Sequence, residues 1–382
     1  MKVLIFATHP IQYQVPIYQL LAKKVDLKVV YLLKQSKKGQ AEAGFGVEFE
    51  WDIPLLEGYQ YEYLTNLSKN PSSSTMDGII LDPKEIDALF KREKPTAAII
   101  HGWFPKSMKQ LINYCYQNKI KSICRGDSTL LMTSNPIKKL AKEVYIRNIL
   151  RKVNSFLYVG EENKKYYTHF GVKQQKLFAG LHCVNTDFFS EGFKNNPQKE
   201  FIKDKIVIGF SGKFIEKKQP LLLLKAIHNS KYKDLIKAFF IGDGPLRKSM
   251  KDFANKNKIN LEITGFLNQT EIIKKGYSKI DTLVLPSKHN ETWGLVVNEV
   301  MTAGILCIVS DKVGCHSDLI DEGKTGFTFK SGDVVELTKK IDLFVEMKRN
   351  EHSFKEDVKA KIENYSLENT VKGYLACLSS IK

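Results

Sequence analysis

Long apolar runs are missing from this sequence. Of its 382 residues 43% are hydrophobic, yet no stretch approaches the roughly 20 apolar residues that a transmembrane helix needs. The apolar run near the start, Val3 to Ala7, is shorter than the roughly 7 residues of the shortest signal-peptide core. Low-complexity tracts and internal repeats are absent as well. We therefore expect a globular, cytoplasmic protein whose length suits two domains.

Motifs of paired cysteines are also missing. The six cysteines are scattered, with no Cys-x-x-Cys pair, so we predict free, buried thiols and neither disulfides nor a metal site. No Gly-x-Gly-x-x-Gly follows the first predicted strand, where Ala7-Thr8-His9-Pro10 stands. That absence argues against a nucleotide-dependent oxidoreductase. The six cysteines of the sequence are Cys115, Cys124, Cys183, Cys307, Cys315 and Cys377.

Acidic residues are scarce in the middle of the chain. The formal net charge is +17, and residues 101–190 hold 15 basic against 5 acidic residues, a net charge of +10. Such a section suits a phosphate-bearing ligand, a polyanion or an anionic membrane surface, and an ordinary solvated face explains it equally well. No nucleic-acid-binding motif accompanies it, so no nucleic-acid partner is expected. Contact with the inner face of a membrane remains open.

The helix predicted over Pro136 to Val153 concentrates this basic charge. Ile137, Leu140 and Val144 fall on one side of it, and Ile146, Ile149 and Val153 fall nearly opposite. A helix that lies on a membrane needs one stable apolar face. The pattern therefore favours a structural helix packed on two sides.

Strands and helices alternate along the chain, which predicts parallel sheets. The opening series is a strand over Lys2 to Ala7, a helix over Val15 to Lys24 and a strand over Leu27 to Leu33. A polar segment, Ser190 to Lys205, predicts a linker, and a second series begins at Ile206. We expect an α/β protein with two Rossmann-like, doubly wound domains over 1–190 and 191–365. The final segment, 366–382, is expected to be a helix packed on the first domain.

Two glutamates mark the most informative segment, Pro286 to Gly304. A strand over Thr282 to Leu285 runs into a polar turn, and Glu291 and Glu299 stand on either side of a predicted helix start at Gly294. A helix N-terminus suits a phosphate, and buried carboxylates can bind sugar hydroxyls. A glycosidase also needs two carboxylates, roughly 5–9.5 Å apart. Eight helical residues separate α-carbons by roughly 12 Å, so hydrolysis is the alternative reading.

This segment resembles the Glu-x7-Glu signature of the retaining glycosyltransferases of family 4. Glu291, Gly294 and Glu299 fall on the family's first Glu, its Gly and its second Glu. The resemblance implies the GT-B fold, in which two Rossmann-like domains face a central cleft. It also implies that Glu291 holds the donor sugar, that Glu299 holds the ribose, and that the phosphates meet the helix start at Gly294 and Leu295. The similarity continues through Ala303-Gly304 and Val313-Gly314 to Gly323-Lys-Thr-Gly326.

Further motifs of the family follow other strands of the second domain. Gly212-Lys213 stands where the family has Gly-Arg, and Lys218 matches the family's Lys five residues on. Two such cations can clamp a diphosphate, although lysine lacks the bidentate fork of arginine and makes a weaker clamp. The family's Gly-Asp-Gly-Pro appears with Gly242 and Gly244. Phe266 follows a strand where the family reads the base through backbone groups.

The first domain matches the family more loosely. His9, Gln12 and Tyr13 belong to a His-Pro-Ile-Gln-Tyr loop after the first strand, which a subset of the family carries in place of a Gly-rich loop. This departure leaves the acceptor contacts open. His101 ends a strand, and the family often has a His near the reacting centre there. Arg125 ends another strand and is expected to line the cleft on the acceptor side.

The resemblance therefore implies a retaining glycosyltransferase that moves a sugar from a UDP- or GDP-sugar to a glycan or lipid-linked saccharide, in cell-surface polysaccharide assembly. Glu291, Lys213, Lys218 and His101 are the expected catalytic residues. No Asp-x-Asp motif is present, so neither a metal nor another cofactor is expected. The alternatives are a glycoside hydrolase or phosphorylase-like enzyme on the same fold, and a non-catalytic nucleic-acid-binding protein that uses the basic surface.

Overall fold

A computed structural model describes residues 1–34, 52–131, 139–198 and 205–381, without the side chains of 139–141. The described residues form two compact units. The first unit contains 1–34, 53–182 and 367–381, and the second contains 183–366 together with Asp52. Each unit is built around one parallel sheet.

The first unit has a seven-stranded sheet in the order β3-β2-β1-β4-β5-β6-β7, with every pair parallel. Its central strands are fully buried, as a sheet covered on both faces requires; Val3 to Phe6 are 0% exposed. The strands are β1 Lys2–Ala7, β2 Asp26–Tyr31, β3 Gln60–Tyr63, β4 Ala97–His101, β5 Lys121–Arg125, β6 Ser155–Tyr158 and β7 Leu177–Ala179. The helices are α1 Val15–Ala22, α2 Pro83–Glu93, α3 Lys106–Gln117, α4 Lys139–Leu150 and α5 Glu161–His169.

The second unit has a six-stranded parallel sheet in the order β10-β9-β8-β11-β12-β13. Its strands are β8 Ile206–Ser211, β9 Ile236–Ile241, β10 Asn260–Gly265, β11 Thr282–Leu285, β12 Leu306–Ser310 and β13 Gly326–Phe329. Its helices are α6 Thr186–Asn195, α7 Pro220–Asn229, α8 Arg247–Lys256, α9 Gln269–Lys275, α10 Leu295–Met301, α11 His316–Leu319, α12 Val334–Arg349 and α13 Lys355–Glu363. The predicted α/β class with two doubly wound sheets is confirmed.

Local sequence explains where several helices begin. Asp82 precedes α2 and its side chain accepts a hydrogen bond from the Lys84 amide, while Pro83 occupies the first turn. Asp333 caps α12 in the same way, through the Glu336 amide. A short side chain that accepts from a free amide, followed by proline or a good helix former, is a typical helix start.

The last helix, α14 Leu367–Ser379, belongs to the first unit. It packs on α1, β6 and β7. The Thr370 hydroxyl donates to the Leu181 carbonyl at 3.1 Å, and Tyr374 is fully buried. The chain therefore returns to its first sheet after completing the second.

Two predictions about local structure are wrong. The first six residues of the expected linker, from Ser190 on, lie in α6, because Asn185 caps this helix and Phe189 and Phe193, four residues apart, are both buried. Residues 199–204 of the linker lie outside the described part. The basic helix is α4, and its described apolar side chains do not pack on two sides; Ile137 and the side chain of Leu140 lie outside the described part. Ile146 and Ile149 join the core, whereas Val144 is 53% exposed.

The predicted state of the cysteines is confirmed, since all six are free and buried. Burial raises the pKa of the Cys115 and Cys124 thiols to about 12, so these thiols stay protonated and inert at neutral pH. Among the helices of the described residues, none has the length and apolar character to cross a membrane.

Candidate functional site

The loops after β8 and β11 meet at the point where the strand order of the second sheet reverses. β8 pairs with β9 on one side and β11 on the other, so the helices that follow leave on opposite sides of the sheet. Ligands of doubly wound sheets bind in the crevice that opens at such a point. The two loops are joined by the Lys288 amide, which donates to the Lys217 carbonyl at 2.7 Å. Lys217 Nζ also donates to the Asn290 carbonyl at 2.7 Å.

Glu291 lies in this crevice and forms an ion pair with Lys218. The two side chains are only 13% and 16% exposed, and the Ser287 hydroxyl donates to the same carboxylate oxygen at 2.9 Å. Burial raises the pKa of Glu291, but the charge and hydrogen bond of Lys218 outweigh burial and hold the pKa below its usual value. The carboxylate is therefore ionised at neutral pH. It is an acceptor ready for hydroxyl groups.

Lys213 extends the positive charge of this crevice. Burial lowers its pKa, the nearby charges of Lys218 and Lys217 lower it further, and Glu291 opposes them. Several lysines in one crevice repel each other, and an anion between them would relieve that repulsion. The structure thus brings Glu291 to Lys213 and Lys218, although at least 73 residues separate it from either lysine in the sequence. In the described structure Lys218 already forms an ion pair with Glu291. The prediction of a clamp made by two lysines did not include this pair.

Glu299 lies on α10 and is 5% exposed. The Tyr277 hydroxyl donates a hydrogen bond to its carboxylate. The same hydroxyl lies 3.4 Å from the Ser211 hydroxyl at the end of β8. Glu299 is thus fixed against the carboxyl end of the sheet, as a residue that binds a ligand in the crevice must be.

The turn between the two glutamates depends on backbone contacts. The Glu291 carbonyl accepts from the Gly314 amide at 2.8 Å. Gly294, at the cap of α10, has φ +104°, and a β-carbon there would come within 2.8 Å of Leu285, so only glycine fits. Leu295 begins α10, which has no side-chain cap. A helix start without a side-chain cap is the kind that can receive an anion.

The glycine-rich loop after β9 packs against the loop after β8. A β-carbon on Gly242 would lie 2.0 Å from the Gly212 carbonyl oxygen, so this glycine permits the two loops to touch. A β-carbon on Gly244 would lie 2.7 Å from the Phe214 carbonyl oxygen. Phe266 follows β10, whose last carbonyl, that of Gly265, accepts from the Gly242 amide at 2.9 Å. These predicted cofactor-binding residues therefore line the same sheet edge and shape it by packing.

The first sheet has its own reversal point, between β1 and β4. His101 ends β4 there, and its Nδ1 lies 3.1 Å from Gln14 Oε1 and 3.3 Å from the Tyr18 hydroxyl. Because the Gln14 oxygen is an acceptor, we assign the proton to Nδ1 and the lone pair to Nε2. Nε2 is buried and has no hydrogen-bond partner among the described residues. Burial and the charge of Arg125 hold the pKa of His101 well below its usual value, so the ring is a neutral acceptor.

Arg125 ends β5 directly beside His101 in the sheet register. It is 4% exposed, and its Nε has no hydrogen-bond partner among the described residues. Burial lowers the pKa of His182 most, and Arg125 and His101 lower it further, so His182 lies close to both. The sheet therefore gathers two neutral imidazoles around one buried guanidinium.

The loop after β1 places the remaining predicted residues at the same edge. His9 contacts the Thr8 hydroxyl at 3.0 Å, and burial lowers its pKa to about 4. Gln12 is 7% exposed, and its Oε1 accepts no hydrogen bond from any described residue. Tyr13 is half-buried in the same loop.

Several residues of both sites escaped the sequence interpretation. Tyr277 and Tyr18 give no motif, because their contacts with Glu299 and His101 span 22 and 83 residues. Ser287 could have been found, since it stands four residues before Glu291 in the same turn. Gln14 directly follows the predicted loop and was also within reach.

Comparisons with known proteins agree with this geometry. Residues 192–361 match the family model "Glycosyl transferases group 1", which contains every residue of the Glu291 crevice described above. This segment of the chain is therefore similar to the Glycosyl transferases group 1 domain.

Curated relatives share parts of the chain. Sulfoquinovosyl transferase SQD2 of Arabidopsis thaliana is 40% identical over 106 residues, which are 27% of this chain and 20% of that protein. Protein CapJ of Staphylococcus aureus is 27% identical over 237 residues, 61% of this chain and 57% of that protein. The chain thus spans between a fifth and just over half of the length of these curated relatives.

Solved structures share the fold along the full length. A glycosyltransferase from Rickettsia africae ESF-5 superposes with a TM-score of 0.73 at 15% identity, covering 100% of this chain and 98% of the other. Anabaena Alr3699/HepE in complex with UDP and glucose gives 0.70 at 14% identity, covering 100% of both chains. With its two doubly wound sheets, the protein has the GT-B fold.

Proposed function

We propose that this protein is a glycosyltransferase that takes a sugar from a nucleotide-diphosphate sugar and passes it to a saccharide acceptor. One observation carries the proposal. Glu291, whose side chain is 13% exposed, and the buried Glu299 lie at the reversal point of the second sheet, the first beside lysines and the second beside a tyrosine hydroxyl. Carboxylates next to cations are the groups that a ligand with both hydroxyls and phosphates requires.

The residues would divide the donor among them. Glu299, fixed by Tyr277, binds the ribose hydroxyls of the nucleotide. Glu291 binds hydroxyls of the sugar, while Lys213 and Lys218 face the diphosphate together with the amides at Gly294 and Leu295. The positive charges stabilise the diphosphate as it leaves. Arrival of the phosphates would draw Lys218 partly away from Glu291 and free that carboxylate for the sugar.

Retention of configuration without a metal is also part of the proposal. The resemblance to family 4, with its His-Pro-Ile-Gln-Tyr subset, implies that the leaving phosphate takes the acceptor's proton on the face from which it departs. Lysines and the start of α10 then supply the positive charge that a metal ion supplies elsewhere. His101, with a neutral Nε2, can accept a hydrogen bond from a substrate hydroxyl.

The acceptor is proposed to be a glycan or a lipid-linked saccharide bound by the first unit, and the donor a UDP- or GDP-sugar. Support comes from solved proteins of the same fold that are in complex with UDP, glucose and, for Staphylococcus aureus TarM, alpha-GlcNAc-glycerol. The basic surface and the family resemblance direct the search towards cell-surface polysaccharide.

A thermal-shift screen with nucleotide diphosphates and nucleotide sugars, without added metal, tests the proposal. A ligand of the folded state raises the melting temperature by mass action. We expect UDP or GDP compounds to raise the melting temperature. Glu299→Ala should need at least roughly tenfold more ligand for the same rise, because a charge-assisted hydrogen bond contributes about 1.5–3 kcal/mol. Glu291→Ala should retain nucleotide binding and lose sugar transfer.

The control variant is Glu271→Ala, which removes an exposed carboxylate of the same unit. It should bind and transfer like the natural protein. Absence of any nucleotide shift in the natural protein, or full transfer by both site variants, would refute the proposed function.

A further inference from the structure

The charge of Arg125 has no counterpart in the described structure. Its side chain is buried, with 4% of the residue exposed, and no salt bridge or side-chain hydrogen bond joins it to any described residue. Burial of a cation is unfavourable unless a negative group compensates for it. A buried charge elsewhere in the first unit is compensated: the carboxylate of Glu93 pairs with Lys2, Lys28 and Arg92.

The groups around Arg125 cannot compensate for its charge. His101 and His182 have pKa values held well below the usual one, first by burial and then by Arg125 itself. Burial likewise keeps the pKa of the Tyr18 hydroxyl well above its usual value. All three side chains are neutral at neutral pH, so the guanidinium is the single net charge of this cluster.

Other polar atoms at this sheet edge also await a partner. His101 Nε2 and Gln12 Oε1 are buried acceptors without a hydrogen-bond donor among the described residues. Gly102, which follows His101, has open space beside it, since a β-carbon there would meet no atom within 4 Å. Buried polar groups in folded proteins are normally satisfied. Two acceptors and one cation left open at one edge therefore indicate a missing polar ligand.

We propose that the acceptor is an anionic saccharide whose carboxylate or phosphate is bound by Arg125, while its hydroxyls donate to His101 and Gln12. A planar guanidinium forms two parallel hydrogen bonds to either group. Neutral acceptors would leave the buried charge uncompensated and so would bind more weakly. This inference rests on the proposed function, since it names the class of acceptor that the transferase uses.

Three small probes separate neutral from charged acceptors: glucose, glucuronate and glucose 6-phosphate, each added without nucleotide. Thermal shift in the natural protein should be larger with a charged sugar than with glucose, and the charged sugar that gives the larger shift tells carboxylate from phosphate. Arg125→Met should abolish the difference. Arg125→Lys keeps the charge but loses the fork, so it should weaken the Kd at least tenfold. Arg151→Gln, at an exposed position of the same unit, should leave the shifts unchanged.

The lysines of the second unit can also bind phosphate, so only the part of a shift that depends on Arg125 counts. Equal shifts with all three sugars, or shifts that persist in Arg125→Met, would overturn the inference. Failure of both Arg125 variants to fold would show a structural role and would overturn it too. If nucleotides raise the melting temperature but charged sugars give no rise that depends on Arg125, the inference fails and the proposed function stands. If charged sugars give such a rise but nucleotides give none, the proposed function fails and the anion site stands.

Discussion

The ion pair between Lys218 and Glu291 gives the sharpest test of the site's physical description. Replacing Lys218 by Met keeps most of the side-chain volume but leaves Glu291 buried without its cation. Removal of one partner from a buried pair costs about 3–5 kcal/mol. The side chains are 16% and 13% exposed and Ser287 still donates to the carboxylate, so we expect the lower end, about 3 kcal/mol. For a unit of this size that corresponds to a melting temperature lower by roughly 6–12 °C.

The loss should depend on pH in a defined direction. In the natural protein the pKa of Glu291 is below its usual value because Lys218 outweighs burial. The pair therefore stabilises the protein above the pKa of the unfolded state, and this contribution disappears as the pH falls through the lower, folded pKa. In Lys218→Met burial still raises the pKa of Glu291, and only the charge of Lys217 and the hydrogen bond of Ser287 oppose it. The variant can then protonate the carboxylate, so its deficit should shrink between about pH 7 and about pH 4.

Differential scanning calorimetry at several pH values measures both effects. Lys275→Met is the matched control, because Lys275 pairs with Glu271 on the surface, where the side chains are 57% and 45% exposed; such pairs contribute less than about 1 kcal/mol. Adding Glu291→Gln to Lys218→Met should restore most of the lost stability, since no buried charge remains. A deficit no larger than that of the control, or one that is the same at every pH, would refute the reasoning.

Three further predictions concern packing, a hydrogen bond and a titration. Gly242→Ala should lower the free energy of unfolding by more than about 2 kcal/mol, because its β-carbon would lie 2.0 Å from the Gly212 oxygen. The control is Gly323→Ala, which also has a positive φ but no described atom within 4 Å of the added β-carbon, and it should lose only about 1 kcal/mol. Tyr277→Phe should destabilise the protein by about 1.5–3 kcal/mol in denaturant titrations, and an unchanged midpoint would contradict the buried hydrogen bond. His9 should titrate near its pKa of about 4 by NMR, and since the unfolded chain binds that proton first, stability should fall as pH drops from about 6.5 to about 4.

Much of the secondary structure follows from the sequence, because helix and strand patterns are local. Lys2–Ala7 and Thr282–Leu285 have the predicted bounds, since each is a short and largely apolar run. The alternation of strands and helices likewise predicts parallel sheets. Glu291 and Glu299 are found from sequence because the turn and helix that hold them are one continuous segment.

Predictions failed where a distant contact decides the structure. Polar residues hide the helix over Thr186–Asn195, whose stability comes from burying Phe189 and Phe193. The exposure of Val144 could not be read from α4 alone, because periodicity shows two apolar sides and only the packed core selects one.

The sequence by itself determined the two doubly wound sheets, the motif at Glu291 and Glu299, and the strand ends at which polar residues collect. Only the tertiary structure decided the partners. Lys218 reaches Glu291 across 73 residues, and Tyr18 reaches His101 across 83, because parallel strands bring their carboxyl ends to one edge whatever their order in the chain. The uncompensated charge of Arg125 is likewise invisible in the sequence, since a missing partner can be recognised only when all the neighbours are in place.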